Sequence, residues 1–126
     1  MQIPENLLYS KSHEWVKKLD GGNVQIGITD YAQKKLGDIV FVNLCRQGDK
    51  LTAQGPIGDV ESIKSVSDIY SPIAGTVINV NQSVLDDPSL INGDPYGAWL
   101  VELSADGVAG GLVTAAEYAK IVEKDN

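Results

Sequence analysis

The chain is short of thiols, imidazoles and positive charge. One cysteine, Cys45, and one histidine, His13, stand in 126 residues. A lone thiol forms no internal disulfide, and one His with one Cys falls short of the ligand set of a zinc site. Cys45 reads as a small residue at a strand end. A Cys–His nucleophilic pair would need His13 beside Cys45, and nothing in the sequence puts them together. Lys and Arg number 10 against 17 Asp and Glu, a net charge of −7. That deficit argues against nucleic acid, whose binding rests on neutralising phosphates with Lys and Arg, and against anionic membrane surfaces. No apolar run approaches the roughly 20 residues of a membrane helix. The opening MQIPENLLYSKSHEW has no basic region followed by an apolar stretch, so no secretory signal shows, and it is not an Arg-rich presequence. A glycine-rich phosphate loop, a nucleophile elbow and a metal signature are also missing. A non-catalytic protein is therefore expected.

What remains is an ordinary soluble composition, 43% hydrophobic, in a chain long enough for one domain over residues 1–126. Residues 13–19 read as a strand, with Trp15 and Val16 supplying bulk. Asp20-Gly21-Gly22-Asn23 is a turn, and Val24, Ile26 and Ile28 alternate as a half-buried strand. Thr29 or Asp30 caps a short helix through Tyr31 to Leu36, ending at Gly37. Residues 38–44 are almost continuously apolar and predict a strand buried on both faces. Gly48-Asp49 begins a turn and Gly55-Pro56 the next strand. Asp87-Pro88 starts one helical turn, with Pro at its first position, and Asn92-Gly93-Asp94-Pro95 ends it. A strand over 98–103 follows, with Trp99 as a core anchor. Gly107, Gly110 and Gly111 read as a flexible connection. Thr114 and Glu117 match a capping box that opens a C-terminal helix over about 114–124. Tyr118, Ile121 and Val122 form its apolar face, with Lys120 and Lys124 towards its end.

Two segments repeat. GTVINVN at 75–81 echoes GDIVFVN at 37–43 at an offset of 38, and Val101-Glu102 echoes Val60-Glu61 at an offset of 41. Chance similarity between strand-like sequences is the competing reading. A true repeat would make two similar β-units that bury their apolar faces against each other.

The most informative stretch is 58–75, GDVESIKSVSDIYSPIAG. Ile57, Val60 and Ile63 before Lys64, and Val66, Ile69 and Tyr70 after it, form two strand-like arms meeting at Lys64-Ser65. Asn-Gly would be the easy turn, because primed turns need positive φ. A Lys-Ser tip overrides that preference. A solvated turn lysine is the ordinary reading of such a residue. The whole of VESIKSVSDIYSPIAG, however, closely resembles the lipoyl-attachment segment of the glycine cleavage system H protein family. The match runs through Glu61, Ser62, Ile63, Lys64, Ser67, Asp68, Ile69, Tyr70, Ser71 and Pro72, with Ser65 directly after the lysine. SHEWV at 12–16, GITDYAQ at 27–33, LGDIVFV at 36–42 and NGDPYGAWL at 92–100 extend the resemblance along nearly the whole chain.

The resemblance implies a mainly β fold, a barrel-sandwich hybrid of pseudo-two-fold sheets as in lipoyl and biotinyl carriers, with short helices, a C-terminal helix and a lipoyl hairpin over about 57–73. It implies lipoic acid in amide linkage to Lys64. The implied cargo is an aminomethyl group, loaded by a pyridoxal-phosphate glycine decarboxylase and unloaded by a tetrahydrofolate-dependent aminomethyltransferase. Dihydrolipoyl dehydrogenase then reoxidises the dithiol, and a separate enzyme attaches the lipoate. A cleft for the loaded arm would use Ser12, Glu14 and Asp68. Glu14 reads equally as a strand-face carboxylate, and Asp68 as a residue read by the attaching enzyme or one that pins the hairpin. Lys35 stands where some family members place a histidine near the cleft. His13 reads as structural, on the strand face opposite Glu14. Residues 44–48, LCRQG, replace a more acidic turn that usually contains Pro, and Gly97-Ala98-Trp99 is one residue shorter than the family's Gly-x-Gly-Trp.

Lipoyl domains of 2-oxoacid dehydrogenase complexes share the hairpin but sit in longer chains, and biotin carriers flank their lysine with methionines where Ile63 and Ser65 stand here. A lipoyl-relay protein, passing lipoyl or octanoyl groups to other lipoyl proteins, is the alternative from another class. A monomer is expected, in the cytoplasm, or in the mitochondrial matrix if a presequence has been removed.

Overall fold

A computed structural model describes residues 1–106 and 111–125. Two antiparallel sheets form. The larger has strand order β1-β2-β3-β9-β8-β5 and the smaller β4-β6-β7; they do not close into a barrel. The strands are β1 (Leu8–Tyr9), β2 (Glu14–Lys18), β3 (Asn23–Ile28), β4 (Ile39–Leu44), β5 (Lys50–Leu51), β6 (Pro56–Ser62), β7 (Val66–Tyr70), β8 (Gly75–Val80) and β9 (Val101–Ala105). The helices are α1 (Asp30–Leu36), α2 (Gln82–Asp86), α3 (Leu90–Gly93) and α4 (Ala115–Asp125).

The elements follow from local chemistry. Gly21 and Gly22 take φ of 77° and 85° and turn β2 into β3 through a short 3₁₀ turn. The Thr29 hydroxyl caps α1 by accepting from Ala32 N–H, and Gly37 ends it with φ 79° and ψ −155°. That conformation is essentially open to glycine alone. At α4, Thr114 Oγ1 accepts from Glu117 N–H at 3.3 Å while the Glu117 carboxylate accepts from Thr114 N–H at 3.1 Å, the expected capping box.

One core fills the space between the sheets, built on Val16, Ile26, Val42, Val60, Val77 and Leu103. A second lies on the other face of the large sheet beneath α4, where Tyr9, Trp15, Tyr31, Tyr118 and Val122 pack. Alternation along β2 explains the split: Val16 points into the first core and Trp15 into the second. Trp15 fits because its cross-strand partner is Gly27; a Cβ there would stand 2.6 Å from the indole.

The repeat is real at the level of register. On the β4–β6 ladder Val42 faces Val60, and on the β8–β9 ladder Val80 faces Val101. Phe41 faces Glu61 as Asn79 faces Glu102, and Ile39 faces Ser62 as Val77 faces Leu103. Each ladder carries one extra residue, Val40 in β4 and Ile78 in β8, at equivalent positions.

Several expectations are corrected. β4 is not buried on both faces: Val40 is 55% and Phe41 50% exposed. A continuous apolar run reports hydrophobicity, not which face another layer covers. Trp99 is only half-buried, and the indole that anchors a core is Trp15. The last long strand begins at Val101, although Leu100 already pairs through its N–H to Ile26 O. Helix α2 was not expected; Asn81 opens it by accepting from Ser83 N–H. Asp87-Pro88 precedes α3 instead of starting it, with the Asp87 carboxylate holding Ser89, and Asn92 and Gly93 lie inside that helix. His13 sits outside β2 with φ 77°. Its ring reaches Tyr118 OH at 2.8 Å and Asp125 at 3.4 Å, so a bend and not strand alternation separates it from Glu14. Of the expected flexible connection, Gly107 and Gly110 lie outside the described residues, and Gly111 has φ 89°.

Candidate functional site

The hairpin of β6 and β7 carries Lys64 at its tip, but the tip is Ile63-Lys64, one residue earlier in the chain than the expected Lys64-Ser65. Glu61 faces Val66 on the last rung, Ser62 N–H donates to Ser65 O at 2.8 Å, and Ile63-Lys64 form the tip. None of these turn residues adopts positive φ. The Ser62 hydroxyl makes this possible, accepting from the N–H groups of Lys64 at 3.2 Å and Ser65 at 3.1 Å in place of a main-chain carbonyl. Ser62 thus fixes the turn, Ser65 closes it, and Ile63 and Lys64 are left exposed.

The tip rests on the corner between α1 and β4. Ile63 N–H donates to Asp38 O at 3.2 Å. The Lys64 side chain lies across Gly37, where an added Cβ would meet Cε at 3.4 Å and Nζ at 3.8 Å. The ammonium therefore stands near the carboxyl end of α1, where helical carbonyls favour a cation. Among the described residues it forms no ion pair. Asn92 of α3 pins this corner. Its amide donates to Gln33 Oε1 at 2.9 Å and Gly37 O at 3.0 Å, and its carbonyl accepts from Ile39 N–H at 2.9 Å. Gly37, Asp38 and Asn92 are not legible as site residues in the sequence. Glycine after a helix signals only a cap, and Asn92-Gly93 signals only a turn.

Ser12 and Glu14 come together beside the hairpin. Glu14 is 2% exposed, and its Oε1 accepts from Ser10 Oγ at 2.5 Å and Ser12 Oγ at 2.6 Å. Among the described residues Oε2 accepts only from Tyr70 N–H, at 3.4 Å. Burial raises the Glu14 pKa above its ordinary value, with the hydroxyl and N–H donors working against the rise. Ser10, which also accepts from Glu14 N–H, is a partner that sequence reading missed. Ser10 and Ser12 border an open recess of about 380 Å³ with Gln54 and Pro72. Asp68 joins indirectly: it is exposed on β7, and Tyr70 OH donates to it at 3.5 Å. Lys35 does not join the group. It lies on α1 with Nζ 5.3 Å over the Tyr31 ring and has no ion pair among the described residues.

This arrangement presents one exposed primary amine on a fixed turn, with a partly satisfied carboxylate on the flank of the same hairpin. Comparison with known proteins bears on what it serves. Residues 7–125 match the glycine cleavage H-protein family. The glycine cleavage system H protein of Thermoanaerobacter pseudethanolicus is 49% identical over 127 residues, covering 99% of this chain and all of the relative. That of Geobacillus thermodenitrificans is 46% identical over 98% of this chain and 99% of its own. The crystal structure of a glycine cleavage system H protein from Mycobacterium marinum superposes with a TM-score of 0.88 at 42% identity, over 94% of this chain and 97% of that one. The chain belongs to the glycine cleavage H-protein family.

Proposed function

We propose that this chain carries a lipoyl group in amide linkage on Lys64 and shuttles an aminomethyl unit among the enzymes of glycine cleavage. The observation that carries the reading is the Ser62-braced tip, which holds an exposed lysine in one geometry without strained φ. The residues present fit the group: Lys64 Nζ is accessible, and the Gly37 bed leaves room for the side chain. Acyl transfer needs a neutral amine as nucleophile, so the attaching enzyme takes up a proton from Lys64 before acylation. When bound, the group supplies a disulfide that opens by attack at sulfur and so accepts and releases a small cargo.

The chain's own residues position and shelter. Ser62 and Asp38 hold the tip against the α1 corner. Glu14 Oε2, held by one long contact, is free to accept from a cationic amine in a charge-assisted hydrogen bond. Ser10 and Ser12 orient the carboxylate through Oε1, and Asp68 adds a second acidic group on the hairpin. The chain acts as carrier and not as catalyst. Its partners in this reading are glycine decarboxylase, the aminomethyltransferase, dihydrolipoyl dehydrogenase and the lipoate-attaching enzyme.

Intact-mass analysis of the protein from its native host, with peptide mapping around Lys64, tests this. A lipoyl adduct on Lys64, lost in Lys64→Arg together with glycine decarboxylation in the reconstituted system, is the expected result. An unmodified Lys64 in a host that lipoylates its other proteins would sink the reading. A lipoylated protein inactive in glycine cleavage would point to the relay role.

A further inference from the structure

The outer face of the small sheet is exposed, apolar and acidic beside Lys64. The rung directly behind the turn aligns Phe41, Glu61 and Val66 across β4, β6 and β7. Their neighbours Val42 and Val60 point into the core, so strand alternation sends this row outward. Phe41 is 50% and Val66 61% exposed, and Ile63 at the tip is 71% exposed. The next outward rung places Asp59 opposite Asp68. Two carboxylates directly opposed on a ladder disfavour each other. Asn43 Nδ2 donates to Asp59 Oδ1 at 2.9 Å and holds that carboxylate in place. β4, β6 and β7 themselves contain no Lys, Arg or His, so Lys64 is the one cation of the hairpin.

Exposed aromatic and β-branched residues grouped beside opposed acids mark an interaction surface. We propose that this face docks the enzyme that acylates Lys64, a protein presenting an apolar socket for Phe41 and Val66 within a rim of Lys and Arg. The proposal rests on the carrier reading above. Two features select this partner. Lys64 Nζ must itself enter the active site of the acylating enzyme, so that enzyme covers the rung next to the turn. Enzymes acting at the far end of a completed arm are held away from that rung by the length of the arm. In addition, the acidic rows favour a basic surface and disfavour an acidic one.

The step is an acyl transfer. The enzyme presents lipoate activated as an acyl phosphate anhydride or a thioester. The Lys64 ammonium gives up one proton, neutral Nζ attacks the carbonyl carbon, and the C–N bond forms. The bond to the activating group breaks, and the second proton leaves the nitrogen with the leaving group or to solvent.

The test follows steady-state acylation of the full unmodified chain by a lipoate ligase supplied with lipoate and ATP, read by mass. The Phe41→Ser/Val66→Thr double variant and Asp59→Lys are each expected to raise KM about tenfold with kcat within about twofold. The wild-type kcat/KM is expected to fall with added salt, and Asp59→Lys to flatten that dependence. Thermal melts check that the variants fold. The double variant, driven to full lipoylation with excess ligase, is expected to support glycine decarboxylation like wild type. Unchanged kcat/KM in both variants would overturn the proposal, as would a double variant equally impaired as a fully lipoylated shuttle, which would assign the face to the users of the arm. A wild-type chain that accepts no lipoate at all would remove the carrier reading and this partner with it.

Discussion

Glu14 ties stability to the role proposed for it. Its carboxyl is buried with its pKa raised, chiefly by desolvation. The folded state therefore holds the proton more tightly than the unfolded chain. Stability from this group is full below its ordinary pKa of 4.5 and is lost as pH rises through the folded value. As pH rises the buried charge becomes a net cost, which an ammonium bound in the proposed cleft would offset. Glu14→Gln removes the titration while leaving an oxygen for the Ser10 and Ser12 hydroxyls. Denaturant melts at pH 4 and pH 7 are expected to show the variant gaining on wild type as pH rises, with the gap closing at pH 4. A gap of the same size at both values would mean that Glu14 carries no buried charge. The sequence offered two equal readings of Glu14, because a strand position does not reveal what its side chain meets.

At the scale of elements, the Lys64 hairpin is only as well placed as the corner beneath it. That corner joins α1, the start of β4 and α3 through the three hydrogen bonds of Asn92. Asn92→Ala leaves Gln33 Oε1, Gly37 O and Ile39 N–H without that partner. Leaving part-buried groups unpaired costs about 1–3 kcal/mol. Denaturant melts should show that loss, and amide exchange at Ile39 should accelerate before exchange in the β2–β3 hairpin. Unchanged exchange at Ile39 would show that α3 does not pin the corner. The caps at Thr29 and Thr114 were legible because their partners lie three residues away. Asn92 was not, because it lies 53 residues from Ile39.

For the whole molecule, the open question is what the exposed face of β4-β6-β7 does in solution. A two-fold pairing of two copies through this face would set the acidic groups of one copy, Glu61, Asp59 and Asp68, against those of the other. Like-charge repulsion disfavours it, so the face is left for a partner of opposite charge. Light scattering at neutral pH and low salt is expected to give the mass of one chain, 13.5 kDa. A doubled mass that persists at low salt would place the apolar row in a self-interface. The paired ladders add a second whole-molecule feature. Val42 against Val60 and Val80 against Val101 show one register used twice, with an extra residue at the equivalent position of each copy.

The sequence by itself determined what depends on near neighbours. The bulk of Trp15 and Val16 marked β2, alternation marked β3, glycines marked the turn between them, and short-range caps marked α1 and α4. The run around Lys64 marked the hairpin, and the offsets of 38 and 41 already named the residues that take equivalent places on the two ladders. Tertiary structure alone decided coverage. Trp15 is buried in the cluster on its side of the large sheet, its indole N–H held by Pro95 O and its ring beside Tyr96, whereas Phe41, equally apolar, is left half-exposed. It also decided that Ser62 would shift the tip to Ile63-Lys64, that Gly37 would bed the lysine, and that Ser10 and Tyr70 would enclose Glu14. Spacing along a chain fixes the period of an element and the partners within a turn of it. Which face is covered, and which distant polar atom completes a buried group, is settled only when the layers meet.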